Sequence, residues 1–292
     1  DLTSLRLPYG LTSIGASAIS KTGLETIVIP DTVTEMGGSA LAYNDALKNV
    51  TLSKSLTAVP SRGFVGCEAL TELTLPASIQ DCGVSNTVNA FTDCVNLQNI
   101  FVADGSLYFK SVDGVLFDKN GTNLRCYPEG RTAESYRIPE GTVRVGGSAF
   151  AGNEHLKSVS LPTTLERIGP KGFFACTNLK DYYFNGMTAP LLETTVSLTG
   201  AYANVALWGT TTTSGFVYND WGLNLYYPQG AVGYTAYVWD KYFNTENGSV
   251  NVMDASYFTP TDLTVTETGV RNALLTWTAA KQSNAEDIVY KV

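Results

Sequence analysis

The side chains best suited to catalysis are few in this 292-residue chain. His155 is its single histidine, so a Ser-His-Asp or Cys-His site has only one candidate base. It lies at the junction of two similar segments, and the sequence contains no G-x-S-x-G nucleophile motif. We therefore expect His155 to be an exposed turn residue. A metal site built from several histidines of one chain is excluded.

The five cysteines include no C-x-x-C pair, so the usual zinc spacings are absent. Cys67, Cys94 and Cys176 occupy one position of a repeated segment, where other copies carry Asn44 and Asn153. We interpret this shared position as structural, lining a turn. The alternative is a disulfide between Cys67 and Cys94, because successive coils about 4.8 Å apart suit its Cα separation.

Two short motifs resemble ligand-binding loops only superficially. "DKNGTN" (118–123) offers oxygen ligands but lacks the spacing and terminal Glu of a calcium loop, so a hairpin turn is favoured. "GTTTTSG" (209–215) lacks the Lys-Ser/Thr of a phosphate loop, and we interpret it as a surface loop. Nothing singles out a pair among the 27 acidic residues for glycoside hydrolysis. We predict no catalytic residue, no metal and no cofactor.

Composition limits the partners. The net charge of −8 argues against nucleic acid and anionic lipid as main partners. No segment approaches the roughly 20 apolar residues that a membrane span requires. The chain opens "DLTSLRLP", which is not a signal sequence, so we expect that a signal was removed or that none existed.

The elements that would position any functional residue come from an internal repeat. A typical copy, "LETIVIPDTVTEMGGSAL", begins at Leu24. Alternation in "TIVIP" predicts a short strand that Pro30 ends. The Ala/Gly-Phe pair of other copies predicts a single helical or 3₁₀ turn. A 23-residue unit buries too little apolar surface to fold alone, so stacked coils of a solenoid are favoured over an ordinary sandwich. The repeats open at Leu2, Leu24, Leu47, Leu70, Leu97, Leu156 and Leu179. Glycines expected to turn the chain with positive φ are Gly15, Gly37, Gly83, Gly146 and Gly169.

Three motifs resemble the BspA-type leucine-rich repeats of bacterial, Bacteroides-like surface proteins. The copy "LKSVSLPTTLERIGPKGFFACTNL" (156–179) matches that frame. The segment 107–150 is similar to the family's hairpin insertion, with an Asn120-Gly121 turn of type I′. "NLYYPQGAVGYTAYVWDKYF" (224–243) resembles its closing cap. The resemblance implies a leucine-rich-repeat solenoid of parallel β coils over 1–243, with the insertion at about 103–131 and an irregular aromatic cap at about 186–243.

The C-terminal segment 260–292, after a linker at 244–259, resembles the start of a fibronectin type III domain. "LTVTE", "ALLTWTA" with Trp277, and "IVYKV" would be its first three strands. Three strands leave sheet edges unpaired. We expect the native protein to continue past Val292, or this partial all-β sandwich to pair with another surface.

Two surfaces are candidates for binding. Outward strand positions should form one continuous face, on which Phe101 and Tyr183 would be unusual exposed rings. The aromatic-rich segment from Leu179 to Phe258 is interpreted first as a solenoid cap and otherwise as a recognition surface. The predicted partner-binding residues are Thr26, Val28, Thr51, Thr74, Phe101, Ser160, Tyr183, Trp208 and Trp221.

The resemblance implies a non-enzymatic, adhesin-like binding protein that is exposed on the cell surface, lipid-anchored or exported, or is secreted. Its partner would be a protein, either of the host extracellular matrix or of a bacterial surface, bound through the solenoid face. The alternative is a carbohydrate-binding or accessory module of a surface polysaccharide-degrading system, because aromatic residues are clustered near the C-terminus. A purely structural spacer is the third hypothesis.

Overall fold

The protein is described here from a computed structural model. The structure describes residues 2–83, 89–193, 222–236, 239 and 249–254, together with the backbone of 261–269 and 272–278. Its main body is a solenoid in which short parallel strands stack along two sides, as the repeat predicted. We call these two sides the front ladder and the back ladder.

The front ladder holds nine strands in the described part of the chain. They are β2 (Thr26–Val28), β4 (Asn49–Thr51), β5 (Glu72–Leu75), β6 (Asn99–Val102), β10 (Ser135–Arg137), β12 (Ser158–Leu161), β14 (Asp181–Phe184), β16 (Asn224–Pro228) and β17 (Ser249–Met253). Hydrogen-bonded pairing is parallel in β2–β4, in β5–β6 and throughout β10–β12–β14–β16–β17.

The back ladder consists of shorter strands. They are β1 (Ser13–Ile14), β3 (Glu35–Met36), β9 (Asn123–Cys126), β11 (Arg144–Val145), β13 (Arg167–Ile168) and β15 (Leu191–Leu192). An isolated bridge between Ala58 and Asp81 continues the same side of the solenoid. The short spans follow from the repeat, which offers only one or two inward side chains on this side of each coil.

Strand β2 shows how the sequence produces a coil. Ile27 and Ile29 are buried, while Thr26 and Val28 point outward and are exposed. Register pairing places Ile27 opposite Val50 of the next coil, one 23-residue period later. Each inward side chain therefore packs on its equivalent in the neighbouring coil, and the core is continuous along the axis.

The prediction of helical or 3₁₀ turns is wrong. Residues 2–83 and 89–193 contain no helix, and the segments concerned are hydrogen-bonded turns. In the second copy, Ser39 and Tyr43 both have φ of 58°, a left-handed conformation that interrupts a helix. Alternate amides instead donate to the next coil, as in the bond from Ile19 N to Ala40 O (3.0 Å). The turns thus form a third side that ties successive coils together.

The predicted reason for the repeat glycines is also mostly wrong. Gly83 has φ of 65°, as expected, but Gly37, Gly146 and Gly169 have ordinary φ. What these three require is space, because a Cβ at Gly169 would lie 2.5 Å from Gly147 N in the preceding coil. At Gly15, in the first coil, the corresponding Cβ would meet nothing within 4 Å. Glycine at this position allows close stacking of coils rather than a turn.

The insertion is a three-stranded antiparallel meander rather than a single hairpin. It consists of β7 (Phe109–Val112), β8 (Val115–Asp118) and β9, the last of which also pairs in parallel with β11. The left-handed pair typical of a type I′ turn falls at Asp113 (φ 49°) and Gly114 (φ 78°), not at Asn120-Gly121, where only Gly121 is left-handed. The carboxylate of Asp118 shapes this second turn by accepting a hydrogen bond from Thr122 N at 2.7 Å.

Strand β8 separates two hydrophobic cores. Leu116 packs in the first core, with the coils that precede the meander. Val115 and Phe117 point the other way and pack in the second core, with the coils that follow. The meander therefore separates the two cores and is apolar on both sides. Its β7–β8 turn contacts the front ladder, because Ile100 N donates a hydrogen bond to Gly114 O (2.8 Å).

Strands β18 (Thr261–Gly269) and β19 (Asn272–Thr278) form an antiparallel pair near the C-terminus. They coincide with the first two strands predicted for the fibronectin-like segment. Its predicted third strand lies outside the described residues. A two-stranded sheet does not show a fibronectin sandwich, which stays a prediction.

Candidate functional site

The outward side chains of β2, β4, β5 and β6 form the surface that we call the first front face. Its eight residues are Thr26, Val28, Asn49, Thr51, Glu72, Thr74, Asn99 and Phe101. Asn99 is half-buried and the other seven are exposed. Within each of the parallel pairs β2–β4 and β5–β6, strands about 4.8 Å apart hold these side chains next to one another, and the second pair follows the first along the solenoid. The partner-binding residues predicted at Thr26, Val28, Thr51, Thr74 and Phe101 are therefore accessible and adjacent.

Apolar side chains mark both ends of one row on the first front face. Val28 is 58% exposed and Phe101 is 41% exposed, with Thr51 and Thr74 in register between them. Covering such apolar side chains with a partner removes them from water, which stabilises the complex. The row therefore offers two apolar contacts separated by hydroxyl groups.

Two further exposed apolar residues follow the first front face in sequence. Leu107 is 76% exposed and Tyr108 is 43% exposed, at the entrance to the meander. The sequence analysis did not single them out, because they belong to an insertion and not to the repeat frame. The available signal was the pair "LY" directly after the turn residues of "ADGS".

The outward side chains of β12 and β14 form a second front face that is largely buried. Ser160 is fully buried and Tyr183 is 7% exposed, so the prediction that both are accessible for binding is wrong. Ser160 is a small residue in register between Arg137 and Tyr183, and its Oγ accepts a hydrogen bond from Asn185 Nδ2 at 3.0 Å. The Tyr183 ring stacks on Tyr226, with ring centroids 4.4 Å apart.

A row of polar side chains crosses the same end of the front ladder. Asn224 Nδ2 donates to Asp181 Oδ1, Ser249 Oγ donates to Asn224 Oδ1, and Asn251 Nδ2 donates to Ser249 Oγ, each at 2.7 Å. These groups satisfy one another across three strands. They hold β14, β16 and β17 in register and leave fewer free donors and acceptors for a partner.

The described part of the predicted cap contains buried aromatic rings, but it does not end the front ladder: β16 lies within it, and β17, within the predicted linker 244–259, pairs with β16. Phe184, Tyr234 and Trp239 are buried, and Trp239 meets Phe184 edge to face with ring centroids 5.0 Å apart. The hydroxyl of Tyr234 donates to Gly186 O at 3.0 Å, which ties the cap to the coil beneath it. Trp208 and Trp221, the other predicted partner-binding residues, lie outside the described residues.

The cysteines play the structural role predicted for them. All five are buried thiols, and Cys67 and Cys94 do not form the disulfide that was the alternative. The thiols of Cys67, Cys94 and Cys176 donate to a carbonyl about one coil back, such as Phe150 O at 3.0 Å from Cys176. Asn153 uses its Nδ2 in the same way, donating to Glu129 O at 2.9 Å. Burial raises the pKa of the Cys67 thiol to about 11, so it is not a reactive nucleophile at neutral pH.

His155 is exposed, as predicted, and its backbone amide donates to Asn153 Oδ1 at 3.0 Å. It lines a small cavity of about 150 Å³ together with Val95, Glu129, Gly152 and Glu154. Burial, with Asp93 and Glu154 nearby, raises the pKa of Glu129 to about 7. Across the described residues, no group of three His, Cys, Asp or Glu side chains could hold a metal ion.

A buried ion pair escaped the sequence analysis. Arg144 Nη2 lies 2.6 Å from Glu193 Oε2, and both side chains are about four-fifths buried. The Arg144 guanidinium holds the pKa of Glu193 below its ordinary value. The partners are 49 residues apart in sequence, and their contact follows from stacking of the back ladder rather than from a local motif.

Comparison with known proteins agrees with this architecture. Residues 1–118 and 124–195 match the BspA type leucine rich repeat region in six copies. The chain belongs to the BspA-type leucine-rich repeat family. The family match ends at residue 195, inside the first part of the predicted cap, so it covers the repeats and much of the meander of this BspA-type chain.

Several solved structures are similar to the BspA-type chain. The pneumococcal vaccine antigen PcpA is 23% identical, with a TM-score of 0.46 over 83% of this chain and 71% of that one. A leucine-rich repeat protein from Eubacterium ventriosum is 17% identical, with a TM-score of 0.47 over 85% and 72%. A leucine rich cell surface protein from Faecalibacterium prausnitzii is 19% identical, with a TM-score of 0.41 over 87% and 86%. No curated protein sequence matches the chain.

Among the described residues, no helix has the length and apolar character needed to cross a bilayer.

Proposed function

We propose that this BspA-type chain is a non-enzymatic binding protein that recognises another protein through the first front face. One observation carries the proposal: this face is a flat, accessible array of side chains on a rigid support. Seven of its eight side chains are exposed, and the strands beneath them are fixed by parallel pairing. Rigid presentation of this kind reduces the ordering cost of binding.

The composition of the face favours a protein partner over a small molecule. Its rows combine hydroxyl and amide groups with the two apolar side chains Val28 and Phe101. The cavity that Asn99 lines, at about 210 Å³, is smaller than the roughly 300–1,000 Å³ typical of small-molecule pockets. Small ligands bind in concave pockets that cover most of their surface, whereas flat faces bind partners of comparable area. Leu107 and Tyr108 would extend the contact beyond the repeat frame.

The proposed location is the cell surface or the extracellular space. Membership of the BspA-type leucine-rich repeat family supports this location. An adhesin-like role in that location requires a partner on the host matrix or on a bacterial surface.

The experiment is a binding measurement against a panel of purified extracellular-matrix and bacterial surface proteins. We expect at least one partner to bind, and the double substitution V28A/F101A to weaken its affinity at least about tenfold, because truncated apolar anchors cost more than about 1 kcal/mol each. The matched control is Tyr9→Ala, which removes a ring that is 94% exposed but lies off this face.

Two results would contradict the proposal. One is an affinity that V28A/F101A leaves unchanged, and the other is a lack of binding across the whole panel. Glycan binding that is lost in Trp221→Ala but kept in V28A/F101A would instead favour the carbohydrate-binding alternative.

A further inference from the structure

The segment between the meander and β10 joins the two halves of the solenoid. Gly130 N donates to Leu97 O in the first half at 2.8 Å, and Tyr127 N donates to Ala149 O in the second half at 2.8 Å. Asn153 Nδ2 also holds this segment by donating to Glu129 O. A Cβ at Gly130 would lie 2.4 Å from the Asn96 carbonyl carbon, so the contact leaves no free space.

The side chain of Glu129 is half-buried at this junction, and it lines the small cavity beside His155. A Cβ at Gly152 would lie 2.6 Å from Glu129 Oε1, and Glu129 Oε2 is buried with no hydrogen-bond partner. Burying an ionised carboxylate oxygen without a hydrogen-bond donor costs a large desolvation free energy. Burying the neutral carboxyl group costs much less.

The charged groups around Glu129 increase that cost. Asp93 approaches from the last coil of the first half, and Glu154 approaches from the coil that follows in the second half. His155 lines the same cavity. The Arg131 guanidinium, on the same segment, bonds to backbone oxygens instead of Glu129: its Nη1 donates to Gln98 O and to Asp113 O. The backbone amide of Asp93 offsets only part of the repulsion.

We propose that the junction between the two halves is a pH-sensitive device that closes most tightly when the Glu129 carboxyl group is protonated. Ionisation places a charge beside two other carboxylates, and opening of residues 127–131 hydrates that charge. The device controls how firmly the two halves are held together, and it does not depend on the proposed binding function.

The direction of the pH dependence follows from the raised pKa. Glu129 has a pKa of about 7 in the closed junction, against an ordinary value of 4.5. The junction is therefore most stable below about pH 4.5, loses stability as pH rises from there to about 7, and changes little above that. A shift of this size corresponds to an increase of up to roughly 300-fold in the opening equilibrium.

The test is amide hydrogen exchange of the intact chain at pH 5 and pH 8, corrected for intrinsic rates. We expect protection of the Gly130 and Tyr127 amides to fall by at least about tenfold at the higher pH in the wild type. In Glu129→Gln, which keeps a neutral side chain of the same shape, protection should be the same at both pH values. Glu134→Gln is the matched control, since Glu134 is exposed and pairs with Lys157.

A carbon-13 titration of the Glu129 carboxyl group in the wild type provides a second readout, which does not depend on a variant folding correctly. We expect a midpoint near 7. A midpoint near 4.5 would overturn the proposal, as would equal protection at both pH values in the wild type or a pH response that persists in Glu129→Gln.

Discussion

The two front faces are built from the same repeat and differ in what covers them. On the first front face, Thr74 and Phe101 project into solvent. On the second, the register-equivalent positions Ser160 and Tyr183 are buried. The backbone is the same parallel ladder in both, so the difference lies in the side chains and their surroundings. A repeat therefore fixes which positions point outward without fixing which of them are accessible.

The largest expected difference in stability between the two front faces concerns the rings of Tyr183 and Phe101. Tyr183→Ala removes a ring that stacks on Tyr226, and we expect it to lower the free energy of unfolding by about 3 kcal/mol. Phe101→Ala should lower it by less than about 1 kcal/mol, because much of that ring already faces water. Urea denaturation of the two variants measures both values. Equal losses would mean that the two faces are equally buried in solution.

A smaller difference in stability is expected when a larger side chain replaces an outward residue of each front face. Ser160→Tyr places a large side chain in a filled space, and we expect a loss of about 2 kcal/mol in unfolding free energy. Thr74→Tyr, on the exposed face, should be neutral or slightly stabilising, since aromatic residues are favoured in strands. Thermal denaturation compares the two substitutions. A neutral Ser160→Tyr would show that the second face can open at little cost.

The smallest expected difference in stability is between two ion pairs, one in each half of the solenoid. Glu193→Gln breaks the buried contact with Arg144 and should cost about 1–2 kcal/mol. Glu25→Gln breaks an exposed pair with Lys48 and should cost less than about 0.5 kcal/mol.

The pH dependence of the Arg144–Glu193 pair has a definite sign. Because the pKa of Glu193 is lowered in the folded state, its contribution is present above the ordinary value of 4.5 and is lost as pH falls through the folded pKa. Acid titration of stability should therefore be shallower in Glu193→Gln than in the wild type. An identical acid transition in both proteins would contradict this assignment.

The sequence predicted what depends on neighbours within one coil. The alternation around Ile27 and Ile29 was sufficient for the strand, and Cys176 could be assigned a structural role because Asn153 replaces it at the same repeat position. Such patterns are local, and tertiary contacts reinforce them.

The predictions from sequence were wrong where contacts between neighbouring coils determine the structure. Gly169 looked like a turn residue, but it is required by the approach of Gly147. Asn120-Gly121 carried the stronger hairpin signal, yet the type I′ turn formed at Asp113-Gly114, where the loop has two residues. Ser160 and Tyr183 looked as accessible as Thr74 and Phe101, because the repeat pattern contains no information about what covers a face.

Strand β8 has a consequence for how the molecule unfolds. Leu116 belongs to one core and Phe117 to the other, so neither core can melt without exposing one side of this strand. Solenoids whose coils touch only their neighbours tend to lose cooperativity with length. Here a four-residue strand links the two cores thermodynamically, so damage in one of them lowers the melting temperature of both.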